Sequence, residues 1–406
     1  MIGTACALEL QRCGFAVTLV DMQQPGSATS HGNAGVMTRS SIVPLNNPGL
    51  WRALPALLSN RSVGLRYRPG YLARNLGWAL GFARSTRERR FQQTVRALDQ
   101  LIGLSLPEHR RLLQESGQLH RLRSDGWIFL YRQQAQTEAM RLQLAAFAAC
   151  GVRVAELDRA AICALEPALR PVFARGLHVL DALSVDNPAA VVRGYAALFG
   201  ERGGRLLQRS ARGLQPDAQG WTVHLDGGSP LQASRVVVAL GPWSKDFLRG
   251  IGLKVPLAYE RGYHMHYAAG AGAALTRPLY DAQGGYVLSP MQQGLRLSTG
   301  VELAALDAPP NHAQLELAEQ AARQAIALGP RLDPQPWLGA RPTLPDSRPM
   351  IGELPAPRRG LWAAFGHQHI GFSTGPGTAR LLASLMCEQP PAIDAAAFAP
   401  ARFLGR

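Results

Sequence analysis

Residues 3–21, GTACALELQRCGFAVTLVD, decide the fold. Ala5, Ala7, Leu8 and Leu10 give residues 3–15 a small, apolar helical face of the kind that packs on a sheet. Gly14 falls just past the end of that helix, where a glycine commonly closes it. Ala16-Val17-Thr18-Leu19-Val20 then reads as a short buried strand, and Asp21 ends it. A helix feeding such a strand is the second half of a βαβ unit, and an acid at the strand's end is where a dinucleotide's ribose hydroxyls are held. Gly3 stands eighteen residues before Asp21, close to the spacing of the last glycine in G-x-G-x-x-G. Gly3 is therefore the candidate for the glycine that lets helix and strand pack closely. The first strand of the unit and its first two glycines would stand before Met1.

Working outward, Gly26-Ser27-Ala28-Thr29-Ser30-His31-Gly32-Asn33-Ala34-Gly35 follows soon after the acid. This polar, glycine-rich loop offers backbone N–H groups and hydroxyls to a phosphate or a ring system. Farther along, residues 92–120 and 133–150 read as helices, and Gly151-Val152-Arg153-Val154 as a short strand. Residues 186–200 form a helix capped by Asp186 or Asn187, with Pro188 at its first position. A meander fills 204–240, and further strands occupy 255–302. Residues 311–328 read as a helix, and Pro330, Pro334 and Pro336 mark a linker.

The 406 residues suffice for two domains, and 47% hydrophobic against 17% charged content allows a substantial core. The formal charge of +15 is almost all arginine, the only lysines being Lys245 and Lys254. Such an excess attracts acidic substrates, anionic lipid or nucleic acid, although a proteome-wide preference for arginine produces it equally well. It concentrates in residues 50–123, where 14 arginines face four acids and Trp51, Tyr67, Tyr71, Trp78 and Phe82 alternate with the cations. That pattern suits an anionic membrane surface through residues 50–90, or a solvated face over a core. No nucleic-acid motif accompanies it. The five cysteines form no C-x-x-C pair, which argues against a disulfide framework or zinc and for a reducing compartment. No apolar run is long enough to span a membrane. The expected location is cytoplasmic, with peripheral attachment to the inner face of a bacterial inner membrane as an extension of the basic-aromatic pattern.

Four stretches together resemble the D-amino acid dehydrogenase group of FAD-dependent amino acid oxidoreductases, relatives of glycine and sarcosine oxidases. They are the acid-terminated strand with Thr29-Ser30-x-x-Asn33-Ala34-Gly35; Val236-Val237-Val238-Ala239-Leu240-Gly241-Pro242-Trp243-Ser244; Trp337-Leu338-Gly339-Ala340-Arg341-Pro342 with Pro345-Asp346-Ser347-Arg348-Pro349-Met350-Ile351-Gly352; and Phe365-Gly366-His367-Gln368-His369-Ile370-Gly371-Phe372-Ser373-Thr374-Gly375-Pro376. Members of that group carry the first strand and the complete glycine motif. Here the sequence enters after them, through a late-assigned start or a truncation.

The resemblance implies an α/β fold: a Rossmann-like FAD-binding domain lacking its first strand (residues 1–49, 187–250 and 336–406), with an inserted α+β substrate domain on a mixed or antiparallel sheet (50–186 and 251–335). It implies FAD as cofactor, held by Gly3, Asp21, Thr29, Ser30, Asn33, Ala34, Gly35, Ala239, Gly241, Gly352, Gly366, Gly371, Phe372, Ser373 and Thr374. It implies Arg341 as the group that grips the substrate carboxylate, in keeping with arginine's planar, two-pronged donor geometry. His367 and Gln368 would lie beside the flavin. Tyr263 and Tyr286 read as core aromatics. His264 and His266 share one face of a strand and, lacking a third ligand, read as exposed residues and no metal site.

The expected reaction is hydride transfer from a D-amino acid to the flavin. The imine then hydrolyses to a 2-oxo acid and ammonia, and the electrons pass to a quinone or electron-transfer partner. The alternatives are oxidation of a secondary amino acid such as proline, hydroxyproline, sarcosine or glycine, with oxygen as acceptor, and a catalytically impaired flavoprotein-like subunit.

Overall fold

The computed structural model describes residues 1–405 apart from 271 and 273, and leaves aside the side chains at 53, 54, 56 and 57. The elements that frame the site are, in chain order, α1 (Ile2–Arg12), β1 (Thr18–Asp21), α2 (Glu88–Glu115), α3 (Pro188–Glu201), β2 (Arg205–Gln208), β3 (Val236–Val238), β4 (Ala258–Ala269), β5 (Gly294–Thr299), β6 (Trp337–Thr343), β7 (Met350–Glu353), β8 (Leu361–Phe365) and α4 (Gly371–Met386).

Two narrow ribbons flank α1. In the first, β1 runs parallel to β2 with Asp21 opposite Gln208. In the second, β3 runs parallel to β8, and β7 is antiparallel to β8. The edges of β1 and β3 are not bonded to each other, and residues of both line one cavity. The apolar face expected of the first helix is buried: Ala5, Cys6 and Leu10 pack with Trp362, Ala364, Leu381 and Leu382. Ala7 and Leu8 pack on the other side against Val191, Val192 and Leu198 of α3. Burial contributes about 2 kcal/mol for each of these leucines and about 0.8 kcal/mol for each alanine methyl, which ties α1 to both neighbouring helices.

Two further three-stranded sheets stand apart, and the largest sheet is mixed and eleven-stranded. Its key strand is β4, bonded along both edges. On one side it meets β5 and the strand 301–303; on the other it meets β6 and the strand 328–331. In this register Glu260 faces Arg341, Gly262 faces Gly339, and His264 faces Trp337. Side chains directly opposite in a ladder share a face. Glu260, Gly262, His264 and His266 therefore point the same way as Arg341, Gly339 and Trp337. On the other face Tyr263, Met265 and Tyr267 join Tyr286, Leu315 and Ala322 in a core cluster.

Element boundaries moved where a cap or a pairing decided them. The long helix spans Glu88–Glu115, not 92–120, and Gly117 follows it with positive φ. Thr137 Oγ1 accepts from Met140 N and starts the next helix at Glu138, later than 133. Gly151 closes that helix in the left-handed region, so the following strand begins at Val154. Asn187, not Asp186, caps the helix that begins at Pro188. The helix expected over 311–328 ends at Ala325, because residues 328–331 pair with β4; Pro330 lies in that strand, not in a linker.

The aromatic-basic stretch is only partly a surface. Tyr71 and Trp78 are buried: the Tyr71 hydroxyl accepts from Tyr259 N at 2.9 Å, and Trp78 Nε1 donates to Thr343 O at 2.9 Å. These two rings fasten residues 69–85 onto β4 and β6. Trp51, Leu58, Leu76 and Leu80 do stand exposed. Among the described residues no helix is long and apolar enough to cross a membrane.

Candidate active site

A cavity of about 980 Å³ runs from α1 and β1, past the loop at 28–33, to β6 and the start of α4. Gly3, Asp21, Thr29, Ser30, Asn33, Ala239, Gly241, Arg341, His367, Gln368, Gly371 and Phe372 all line it. At the β1 end, the Asp21 carboxyl accepts from Gln23 N and opens toward the cavity; burial raises its pKa. The loop is pinned over the other end. Thr29 Oγ1 donates to Ala340 O at 3.0 Å, and Asn33 Oδ1 accepts from Gly35 N at 2.8 Å.

Arg341 reaches into the cavity from β6. Its Nη1 donates to Gly300 O at 3.1 Å. Burial lowers its pKa, and Glu260 opposes that shift. A guanidinium remains charged under such conditions. Glu260 is 1% exposed, its Oε2 has no hydrogen-bond partner, and burial raises its pKa. The site thus sets the Arg341 fork beside a buried carboxyl group on the facing strand. Gly262 has no side chain beneath it: a methyl there would land on the Arg341 guanidinium. A methyl on Gly339 or on Gly32 would land on the Trp337 indole. Arg341 and Trp337 therefore lean over one bare rung, Gly262 opposite Gly339, from its two ends.

Not every expected residue reaches the cavity with its side chain free. His367 is buried, and its Nε2 is engaged by Thr378 Oγ1 at 3.0 Å; burial pushes its pKa down to about 3. Gln368 sits in the left-handed region, and its amide is held by Ser347 O. The residue whose ring is exposed to the cavity is His369, which the sequence motif contained but did not single out. Desolvation within the recess of the cavity, with Arg341 nearby, lowers its pKa to about 4. Ala34, Gly35, Gly352, Gly366, Ser373 and Thr374 lie behind the lining. Ala34 O accepts from Ser289 Oγ, Gly35 abuts Val185 O, and Gly352 abuts Pro400. Gly366 abuts Leu344, Ser373 Oγ donates to Val36 O, and Thr374 Oγ1 donates to Ile370 O.

His264 and His266 are not exposed: they are 1% and 2% accessible. The alternation placed them correctly on one face, but that face lies under the cofactor loop. Arg296 Nε donates to His266 Nε2 at 3.0 Å, and Asp333 Oδ2 lies 2.7 Å from His266 Nδ1. The imidazole therefore carries its proton on Nδ1. Arg296 Nη1 also donates to the carbonyls of His31 and Asn33 at 2.7 and 2.6 Å. Asp333, His266 and Arg296 form a chain that ends on the loop. The Tyr263 hydroxyl donates to Glu302 on the opposite face, consistent with its place in the core.

The donor set fits a flavin dinucleotide. An acid ends β1 eighteen residues after Gly3, the polar loop carries Thr29 and Ser30, and the first turn of α4 points its positive end at the cavity through Gly371 and Phe372. Fold and cavity together define a dinucleotide-dependent oxidoreductase. The profile of the family described as FAD dependent oxidoreductase matches residues 1–385. A protein named D-amino-acid oxidase from Bradyrhizobium diazoefficiens is 31% identical over 414 residues, covering 99% of this chain and 97% of its own. One named D-amino acid dehydrogenase 2 from Pseudomonas aeruginosa is 30% identical over 413 residues, with 98% and 96% covered. Among solved structures, glycine oxidase from Geobacillus kaustophilus superposes with a TM-score of 0.74 at 21% identity, covering 100% of this chain and 96% of its own. The chain belongs to the DAO family of FAD-dependent oxidoreductases.

Proposed function

We propose that the protein oxidises a D-amino acid to the corresponding 2-oxo acid and ammonia. Support comes from the near-full-length likeness to D-amino-acid oxidase and dehydrogenases and, above all, from the Arg341 guanidinium at the β6 end of a cavity of dinucleotide size. FAD, when bound, supplies the two-electron acceptor. Arg341, fixed by Gly300 O, would take the substrate carboxylate in two parallel bonds. His369, unprotonated near neutral pH, adds no positive charge beside the substrate nitrogen and leaves one ring nitrogen free to accept a hydrogen bond. The amine would enter neutral, so the site needs no strong base. The backbone of Gly3, the Asp21 carboxylate and the hydroxyls of Thr29 and Ser30 would hold the dinucleotide. Residues 1–49, 187–250 and 336–406 would act as the cofactor-binding body.

The test is anaerobic. A holoenzyme absorbing near 450 nm (roughly the value of any oxidised flavin) should bleach when a D-amino acid is added and should not bleach with its L-isomer. Bleaching by L-isomers or secondary amino acids alone would overturn the assignment. We further propose a quinone-class acceptor reached at an anionic membrane surface, on the ground that Trp51, Leu58, Leu76 and Leu80 stand exposed in the arginine-rich stretch. Reoxidation faster by a quinone analogue than by oxygen, with co-sedimentation on anionic vesicles, is the expected result; rapid reoxidation by air without vesicle binding would refute it.

A further inference from the structure

We infer that the Trp337 indole is the wall against which the substrate's side chain rests, so that the site selects D-amino acids with large apolar or aromatic side chains over cationic ones. This rests on the carboxylate role proposed for Arg341. The argument starts with the rung Gly262–Gly339. Partners in such a ladder lie about 5 Å apart. The guanidinium covers Gly262 and the indole covers Gly339, so a carboxylate on Arg341 sits one rung from the indole. Trp337 itself cannot retreat. Its ring stacks on His264, with centroids 4.9 Å apart and planes 18° apart, and its benzo edge is caught between Gly32 and Gly339. His31 closes the side at 5.7 Å. What these neighbours leave uncovered lines the cavity.

The charges at that end are already engaged. His264 is buried with an unpartnered Nδ1, Arg296 donates to His266 and the loop carbonyls, and the Asp333 carboxylate holds His266. Glu260 lies at the opposite end of the ladder, beside Arg341. A cationic side chain on the indole would be desolvated with no free carboxylate among these neighbours to meet it, a cost that the attraction of an indole face does not repay. An apolar or aromatic side chain carries no such penalty and gains by burial against the ring.

The experiment compares kcat/KM of the holoenzyme for D-phenylalanine, D-alanine and D-arginine in the native chain, Trp337→Ala and Trp337→Phe. Alongside it, phenylacetate and acetate are titrated into the native holoenzyme and read by the flavin absorbance. D-phenylalanine should exceed D-arginine at least a hundredfold. The D-phenylalanine to D-alanine ratio should fall at least tenfold in Trp337→Ala and less in Trp337→Phe, and phenylacetate should bind at least tenfold tighter than acetate. If Trp337→Ala does not retain flavin, Trp337→Phe and the titration decide. Oxidation of D-amino acids with an unchanged ratio, or with D-arginine preferred, overturns the wall and leaves the reaction standing. No turnover with any D-amino acid, but a tenfold preference for phenylacetate, overturns the reaction and leaves the wall.

Discussion

The two ends of the cavity are built on different principles. At the β1 end the lining includes backbone at a helix start, a terminal acid and a polar loop, all within residues 3–33. At the β6 end it includes side chains on two strands whose facing glycines are 77 positions apart in sequence. The first kind of site is local and repeats as a linear motif. The second exists only once a register has been chosen. Substitutions at the β6 end should therefore change substrate kinetics with flavin retained, and substitutions at the β1 end should do the reverse.

The largest expected effect is Arg341→Ala, which removes the only guanidinium assigned to the carboxylate. We expect kcat/KM to fall about a thousandfold, about 4 kcal/mol, while the 450 nm band (roughly where oxidised flavin absorbs) persists. Loss of flavin with unchanged KM would reverse the assignment of the two ends.

Acid should act next, on stability. His109, His264 and His367 are buried, and burial lowers the pKa of each, to about 4 for His109 and about 3 for His367. The unfolded chain takes up these protons below its ordinary value of 6.5 and the folded one does not. Their contribution is therefore complete above pH 6.5 and is lost as pH falls toward the folded values. By pH 5 this amounts to about 2 kcal/mol per histidine. Thermal midpoints measured from pH 7.5 down to 5 should drop steadily; a flat profile would mean these rings open to water.

Gly262→Ala should be smaller, since the methyl meets the movable end of a side chain. A displaced guanidinium should raise KM about tenfold, about 1.4 kcal/mol, with the flavin still bound. The smallest is Asp21→Asn, which keeps one acceptor at the end of β1. Flavin affinity measured by equilibrium titration should weaken about fivefold, about 1 kcal/mol, with KM for the amino acid unchanged. A shift in KM would show that the ends are coupled.

The same contrast explains what could be read beforehand. The run from Gly3 to Asp21 and the loop after it declare themselves by spacing, because helix, turn and strand are set by neighbours. Arg341 was marked by its motif. Trp337, two residues before Gly339, and His369, two residues after His367, carry no role that the linear motif announces. Only the pairing of β4 with β6 shows what the indole covers, and only the tight turn at Gln368 shows which histidine faces inward. His264 and His266 alternate as residues on a half-exposed strand do, and nothing in that alternation reports the loop that lies over them. Pro330 looked like a linker because its pairing partner, β4, is some sixty residues away.

β4 is hydrogen-bonded on both sides over most of its length. Side chains alternate with a period of two, so one residue added between 258 and 269 would turn the strand over. Arg261 and Tyr263 would then come up beneath the cofactor, and Glu260 and His264 would sink into the aliphatic cluster. The ladder therefore tolerates exchange of one residue for another far better than a change in its length.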